Sequence, residues 1–276
     1  MNKKIIRVFP RRTNATPTDE NVRIKAFPNL FDEADEVHIS VTFTWDIPWA
    51  ELAAKQWSAV APTKLGGPAY NEKGENFIPG MYLKQGYVIT SRGCNNNCWF
   101  CSVPKREGYQ IRELPVTNGY IITDDNLLAC SQKHINNVFQ MLKQQKERPQ
   151  FTGGLEAKLL TADIARKLKE LNPKSMFFAY DTADDYEPLL QAAKNLKYAG
   201  FTNKSHEIRC YVLIGYPRDT FEAAEKRLTD TIKAGFMPMA MLYRNQTGKN
   251  PKDWKRFQEA WANANTVGAK MKQILK

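Results

Sequence analysis

Apolar positions along this chain of 276 residues follow two alternating rhythms. Short apolar, β-branched runs are the mark of buried strands. They occur at Val37–Phe43, Tyr87–Thr90, Gly119–Thr123, Gln150–Thr152, Ser175–Tyr180, Ile208–Ile214 and Met237–Tyr243. Between the later runs apolar residues recur at helical spacing. The stripes are Ile135/Val138/Phe139/Leu142, Ile164/Leu168/Leu171, Leu189/Ala193/Leu196 and Phe221/Ala224/Leu228/Ile232. Pro149, Pro173, Gly200 and Gly235 close them in turn, as helix stops should. Six strands alternating with helices from residue 86 onward predict a parallel α/β sheet. That count falls short of the eight units of a closed barrel. The expectation is a partial (β/α)6 barrel, open on one side, with a flat doubly wound sheet as the alternative.

Upstream, the strand run at Val37, a helix over Ile47–Trp57 with Pro48 in its first turn, and a short strand at Lys64–Gly66 make one small βαβ-like unit. It reads as a truncated Rossmann-like extension. Residues 66–80, with four Gly and two Pro, read as linker. The expected organisation is therefore an extension and linker over 1–80, the barrel over 81–245 and a basic helical segment over 246–276.

Composition narrows the class. With 42% hydrophobic and 25% charged residues, the chain is neither disordered, coiled-coil nor collagen-like. No run approaches the roughly 18 apolar residues of a membrane span. Charge interrupts the first residues too early for a secretory leader, so a cytoplasmic, reducing location is expected. The net charge of +11 is concentrated at the ends. Residues 1–12 contribute +5 and residues 244–276 contribute +6, leaving 13–243 neutral. Arg11 and Arg12 precede a turn-rich stretch and are candidates for an anionic substrate, a nucleotide or nucleic acid. In the C-terminal helix, Trp254, Phe257 and Trp261 share one face while Lys252, Lys255 and Arg256 lie largely off it. That pattern fits aromatics packed on the barrel with solvated bases, or phosphate contact.

Three of the five cysteines lie on one loop directly after the first barrel strand, as Cys94-x3-Cys98-x2-Cys101. Three thiolates can hold three corners of a cubane iron–sulfur cluster and leave the fourth iron open. Gly93 lets the chain turn out of the strand. The alternative is a zinc-containing nucleic-acid-binding protein using Cys98, Cys101, Cys130 and His134, which would leave Cys94 idle. Cys130 and Cys210 otherwise read as buried hydrophobes, and His38 as a core residue.

The triad Cys94, Cys98 and Cys101, with Phe100 before the last cysteine, resembles the signature of the radical SAM superfamily. Ile122-Thr-Asp-Asp-Asn and Tyr211-Val-Leu-Ile-Gly-Tyr-Pro resemble strand-end motifs of the branch that often carries a cobalamin domain. The resemblance spans residues 86 to about 245. It implies one [4Fe–4S] cluster and S-adenosylmethionine, cleaved by one electron to a 5′-deoxyadenosyl radical that takes hydrogen from a substrate. A flavodoxin or ferredoxin would supply the electron. No cobalamin is expected, because the short extension lacks the Asp-x-His-x-x-Gly loop. By this resemblance Phe100, within the triad, and Asp124, Asp125, Asn126, Glu156, Asp181 and Gly215, at strand ends, line the S-adenosylmethionine site. One of Asp124, Asp125 and Asn126 is also compatible with a cap on the following helix. Glu156 is also compatible with a surface acid, and Tyr180 with either a hydrogen-atom relay or an aromatic core residue.

Overall fold

The computed structural model describes residues 3–202, 206–245, 248 and 251–275. The chain forms a mixed α/β structure with two parallel sheets. The first sheet comprises β1 (Ile5–Phe9), β2 (Val22–Ile24), β3 (Glu36–Ser40) and β4 (Thr63–Gly66) in the order β2-β1-β3-β4. Helix α1 (Ile47–Trp57) lies between β3 and β4. Ile6, Val8, Val37, Ile39, Ala50, Ala53 and Trp57 form a separate buried core.

Strands β1 and β2 are not predicted by the sequence pattern, so the extension carries four strands rather than two. Arg7 explains why β1 is hard to read. A charge inside a buried strand needs partners, and Arg7 finds them in the carbonyls of Gly80 and Met81 and the carboxylate of Asp19. His38 is buried as expected, held between Tyr82 and Glu36.

After β5 (Tyr87–Val88) the chain forms a small antiparallel pair, β6 (Ser91–Arg92) and β7 (Arg112–Glu113), which encloses the cysteine loop and helix α2 (Val103–Glu107). The alternation then continues with β8 (Ile121–Ile122), α3 (Gln132–Lys143), β9 (Gln150–Phe151), α4 (Ala162–Leu171) and β10 (Ser175–Ala179). It ends with α5 (Tyr186–Tyr198), β11 (Ile208–Ile214), α6 (Phe221–Lys233) and β12 (Met237–Leu242). The second sheet has the order β12-β11-β10-β9-β8-β5. Its strands follow chain order throughout, without the reversal that defines a doubly wound sheet. Ser131, Thr161 and Thr220 cap α3, α4 and α6 by accepting from backbone N–H groups of the first turn. The stripes beyond those caps pack on the sheet core with small shifts. Ala192 rather than Ala193 is fully buried, and Phe221 is turned outward against Trp254 and Phe257.

The C-terminal segment is two helices, α7 (Lys252–Ala262) and α8 (Ala264–Ile274), not one. Asn263 breaks them by accepting from the N–H groups of Asn265 and Thr266. Trp261 is 2% exposed, and Trp254 and Phe257 pack against the main core. The aromatic face is therefore structural, while Lys252, Lys255 and Arg256 are exposed. The boundary expected at 245/246 borders residues 246–247, outside the described residues. No helix among those described is long and apolar enough to cross a membrane.

Candidate functional site

The cysteine loop leaves the carboxyl end of β5 and is gripped by the carboxyl end of the neighbouring strand β8. Three consecutive residues after β8 each hold a different part of it. Asp124, 1% exposed, accepts from the backbone N–H of Thr90 at 2.6 Å, from the Thr90 hydroxyl at 2.6 Å and from the Ser91 hydroxyl at 2.7 Å. Asp125 accepts from the N–H of Gly93 at 2.9 Å. Asn126 donates to Glu156 at 2.6 Å and lies 3.6 Å from the Cys94 sulfur and 3.4 Å from the Asn95 side-chain oxygen. Burial raises both aspartic acids above their ordinary range, against the pull of these donors. The carboxyls of Asp124 and Asp125 are thus turned inward, positioning the loop rather than facing a ligand. Asn126 and Glu156 meet each other at the loop's edge. The Asn126 side-chain oxygen is buried and has no hydrogen-bond partner.

Gly93 is required on two counts. Its φ is +90°, and a β-carbon there would sit 2.3 Å from the Gln110 carbonyl oxygen. Any side chain would pry the loop from its returning strand.

Cys94 and Cys101 are half-buried and Cys98 is exposed. Burial, then the proximity of Cys101 and Cys94, and then Asp185 and Asp181, push the Cys98 thiol up to about 11. Burial also raises Cys101. Free of metal the Cys98 and Cys101 thiols keep their protons, and coordination has to release them. Among the described residues no three His, Cys, Asp or Glu side chains converge as a metal-ligand set. The thiols are gathered on one loop but are not drawn onto a common point. The same holds for Cys98, Cys101, Cys130 and His134. Cys130 is buried beneath the loop, and His134 makes a 3.3 Å hydrogen bond with the Thr90 hydroxyl.

A hub that the sequence does not single out braces the same loop. Glu107, 3% exposed, accepts from Arg106 at 2.9 Å, from Arg112 at 2.7 Å and from the N–H of Gly74 at 3.1 Å, with Arg92 at 3.7 Å. Burial raises the carboxyl, but the Arg106 and Gly74 hydrogen bonds and the Arg92 charge outweigh it, and the net shift is downward. The available signal was three arginines at 92, 106 and 112 around the cysteine triad.

The other predicted residues have separate places. Asp181 follows β10 and accepts from the N–H of Leu213 at 2.9 Å. Gly215 has φ +68°, and a β-carbon there would meet Leu242 at 2.6 Å and Trp254 at 3.0 Å. Its lack of a side chain lets Leu242 and Trp254 pack close against the backbone there. Tyr180 is 5% exposed and stacks on Tyr186, as a core residue. Phe100 packs edge-on against Trp99. Arg11 is held by both oxygens of Asp46, so its charge is balanced, whereas Arg12 is exposed. A groove of about 460 Å³, lined by Arg7, Asp19, Ile78, Gly80 and Lys84 among others, takes no lining residue from the cysteine loop.

Burial, and then Asp185, lift the Asp181 carboxyl to about 7, while the Leu213 N–H pulls it down. An unfolded aspartic acid loses its proton near about 4. Between these values the folded protein holds the extra proton, so stability falls as pH rises through that window, by up to about 1.4 kcal/mol per pH unit. Asp181→Asn keeps an acceptor for Leu213 and is expected to flatten this slope, gaining stability over the parent at about pH 8 and little at about pH 4. Urea unfolding across the window measures it; parallel curves for the two proteins would refute it.

No family model matches the chain, and no curated protein sequence matches it.

Proposed function

We propose that the protein is a radical SAM enzyme whose Cys94, Cys98 and Cys101 hold one [4Fe–4S] cluster at the mouth of a partial (β/α)6 barrel. The observation that carries this is the Cys94-x3-Cys98-x2-Cys101 loop at the carboxyl end of the first strand of a six-stranded sheet ordered in sequence, clamped by Asp124, Asp125 and Asn126 of the second. The carboxyl end is where parallel barrels place their ligands. The donor set suits the group: three soft thiols on one loop.

When bound, the cluster supplies one electron for reductive cleavage of S-adenosylmethionine to methionine and a 5′-deoxyadenosyl radical. The chain's own residues position the reaction. Asp124 and Asp125 fix residues 90–93, so that Cys94 starts from a rigid anchor. The unpartnered Asn126 oxygen and the neighbouring Glu156 carboxylate are acceptors beside Cys94, suited to the cofactor's ammonium and hydroxyl groups. Asp181 and Phe100 complete the proposed lining, and a flavodoxin or ferredoxin is the proposed donor. The protein holds the reacting atoms in line and keeps water out.

Anaerobic reconstitution, addition of S-adenosylmethionine and dithionite, and chromatography for 5′-deoxyadenosine test the proposal. Formation of 5′-deoxyadenosine beyond a protein-free control is expected. Its absence from a protein that has taken up iron and sulfide would overturn it.

A further inference from the structure

The small sheet has its own ligand position. Its order, β2-β1-β3-β4, reverses between β1 and β3, so the chain leaves these two neighbouring strands in opposite directions. A crevice opens at the carboxyl ends of such a pair, and open α/β sheets bind ligands there. Here the chain leaving β1 delivers Arg11, and the chain leaving β3 delivers Phe43 and Trp45. The two rings stack with centroids 4.8 Å apart and 10° between planes. The Arg11 guanidinium lies 5.4 Å from one centroid and 5.9 Å from the other. Asp46 grips Arg11 from the side, which fixes it and cancels its charge.

The second sheet faces this crevice with a cation of its own. Arg244, just past β12, stands 5.6 Å from the Trp45 ring. It is exposed, and no carboxylate pairs with it among the described residues. Its neighbour Tyr243 lies 5.7 Å from Trp99, the exposed tryptophan of the cysteine loop. A wall of aromatic rings and guanidinium groups therefore runs from the switch point of the small sheet to the cysteines. Trp45 is packed by the Phe43 ring and by Gly248, so the open indole face in this wall is that of Trp99, 55% exposed. An exposed indole suits a nucleobase, and an unbalanced guanidinium on an aromatic rim is a seat for phosphate.

We infer that this crevice binds the nucleotide unit of the substrate, with its base on the exposed Trp99 face and its phosphate at Arg244. The anion contact passes from Arg11, which is neutralised, to Arg244. That the bound unit is a substrate rests on the radical reading proposed above; that it binds does not.

The test is equilibrium binding without reductant, on the full chain, with two probes: AMP, and a 5′-phosphorylated single-stranded RNA eight nucleotides long. Arg244→Gln, Trp99→Leu and the surface control Arg166→Gln are compared with the parent. At least one probe is expected to bind. AMP binding assigns a free nucleotide, and binding of the RNA alone assigns a strand. Arg244→Gln should weaken binding about tenfold and make its salt dependence shallower. Trp99→Leu should weaken it at unchanged salt slope, and Arg166→Gln should leave it intact. Arg244 is exposed and lies outside the cysteine loop, so its variant stays interpretable if Trp99→Leu disturbs that loop. Failure of both probes, or binding indifferent to Arg244→Gln, would overturn the inference. Nucleotide binding without 5′-deoxyadenosine formation would sink the radical reading and leave this one standing; the converse result would do the opposite.

Discussion

Cys98→Ala, reconstituted anaerobically, is expected to hold no cluster and to release no 5′-deoxyadenosine, while its apo form melts close to the parent. Cys98 is exposed, so its removal costs the fold little, within about 0.5 kcal/mol for a surface site. For the cluster the same change removes one of only three protein ligands. Cys130→Ala provides the opposite profile. Its sulfur is buried beneath the loop, so the fold loses packing while the cluster survives. Iron and sulfide analysis of both variants, beside thermal melts, separates the two ligand sets. Zinc bound by the parent and lost in Cys130→Ala, with Cys94→Ala silent, would replace the iron–sulfur proposal with the four-ligand zinc alternative.

Glu107→Ala is expected to destabilise the protein by about 3–5 kcal/mol, the usual cost of removing one partner from a buried charge cluster. Arg106 and Arg112 would lose a direct carboxylate contact, and Arg92 its nearest balancing charge. Gly74 would lose the acceptor for its N–H as well. Glu107→Gln keeps acceptor capacity and should cost less. A surface acid such as Glu170, paired with Lys143 in solvent, should cost under about 1 kcal/mol when removed. The urea midpoint measures all three. Arg92 and Arg112 belong to the strand pair that encloses the cysteines, so Glu107→Ala should also slow cluster uptake. A midpoint within about 0.5 kcal/mol of the parent would show that the hub braces nothing.

The two kinds of element differed in how far the sequence disclosed them. Helices α3, α4 and α6 declared themselves, because their stripes and Gly or Pro stops lie within or just beyond each segment. Strand β1 did not, because Arg7 breaks its apolar run and the carbonyls that satisfy it come from residues 80 and 81. The second sheet was legible as a parallel alternation, but the reversal in the first depends on β1 and β2. At the site, the placement of Asp124, Asp125 and Asn126 at a strand end could be read. The direction in which their side chains point could not, since their partners stand thirty or more residues away along the chain. Tyr180 takes the core alternative of its two readings, and what it and Gly215 touch at their strand ends is set by packing that only the fold discloses. Arg244 was visible only as the start of a basic end, and its meaning comes from Trp45, about two hundred residues earlier.

The central claim is that the three cysteines hold a cluster with one open iron, and electron paramagnetic resonance of the reduced, reconstituted protein tests it most directly. A [4Fe–4S]⁺ signal whose g values shift on addition of S-adenosylmethionine is the predicted result. A cluster signal unmoved by S-adenosylmethionine, or a silent protein that carries zinc, would contradict it.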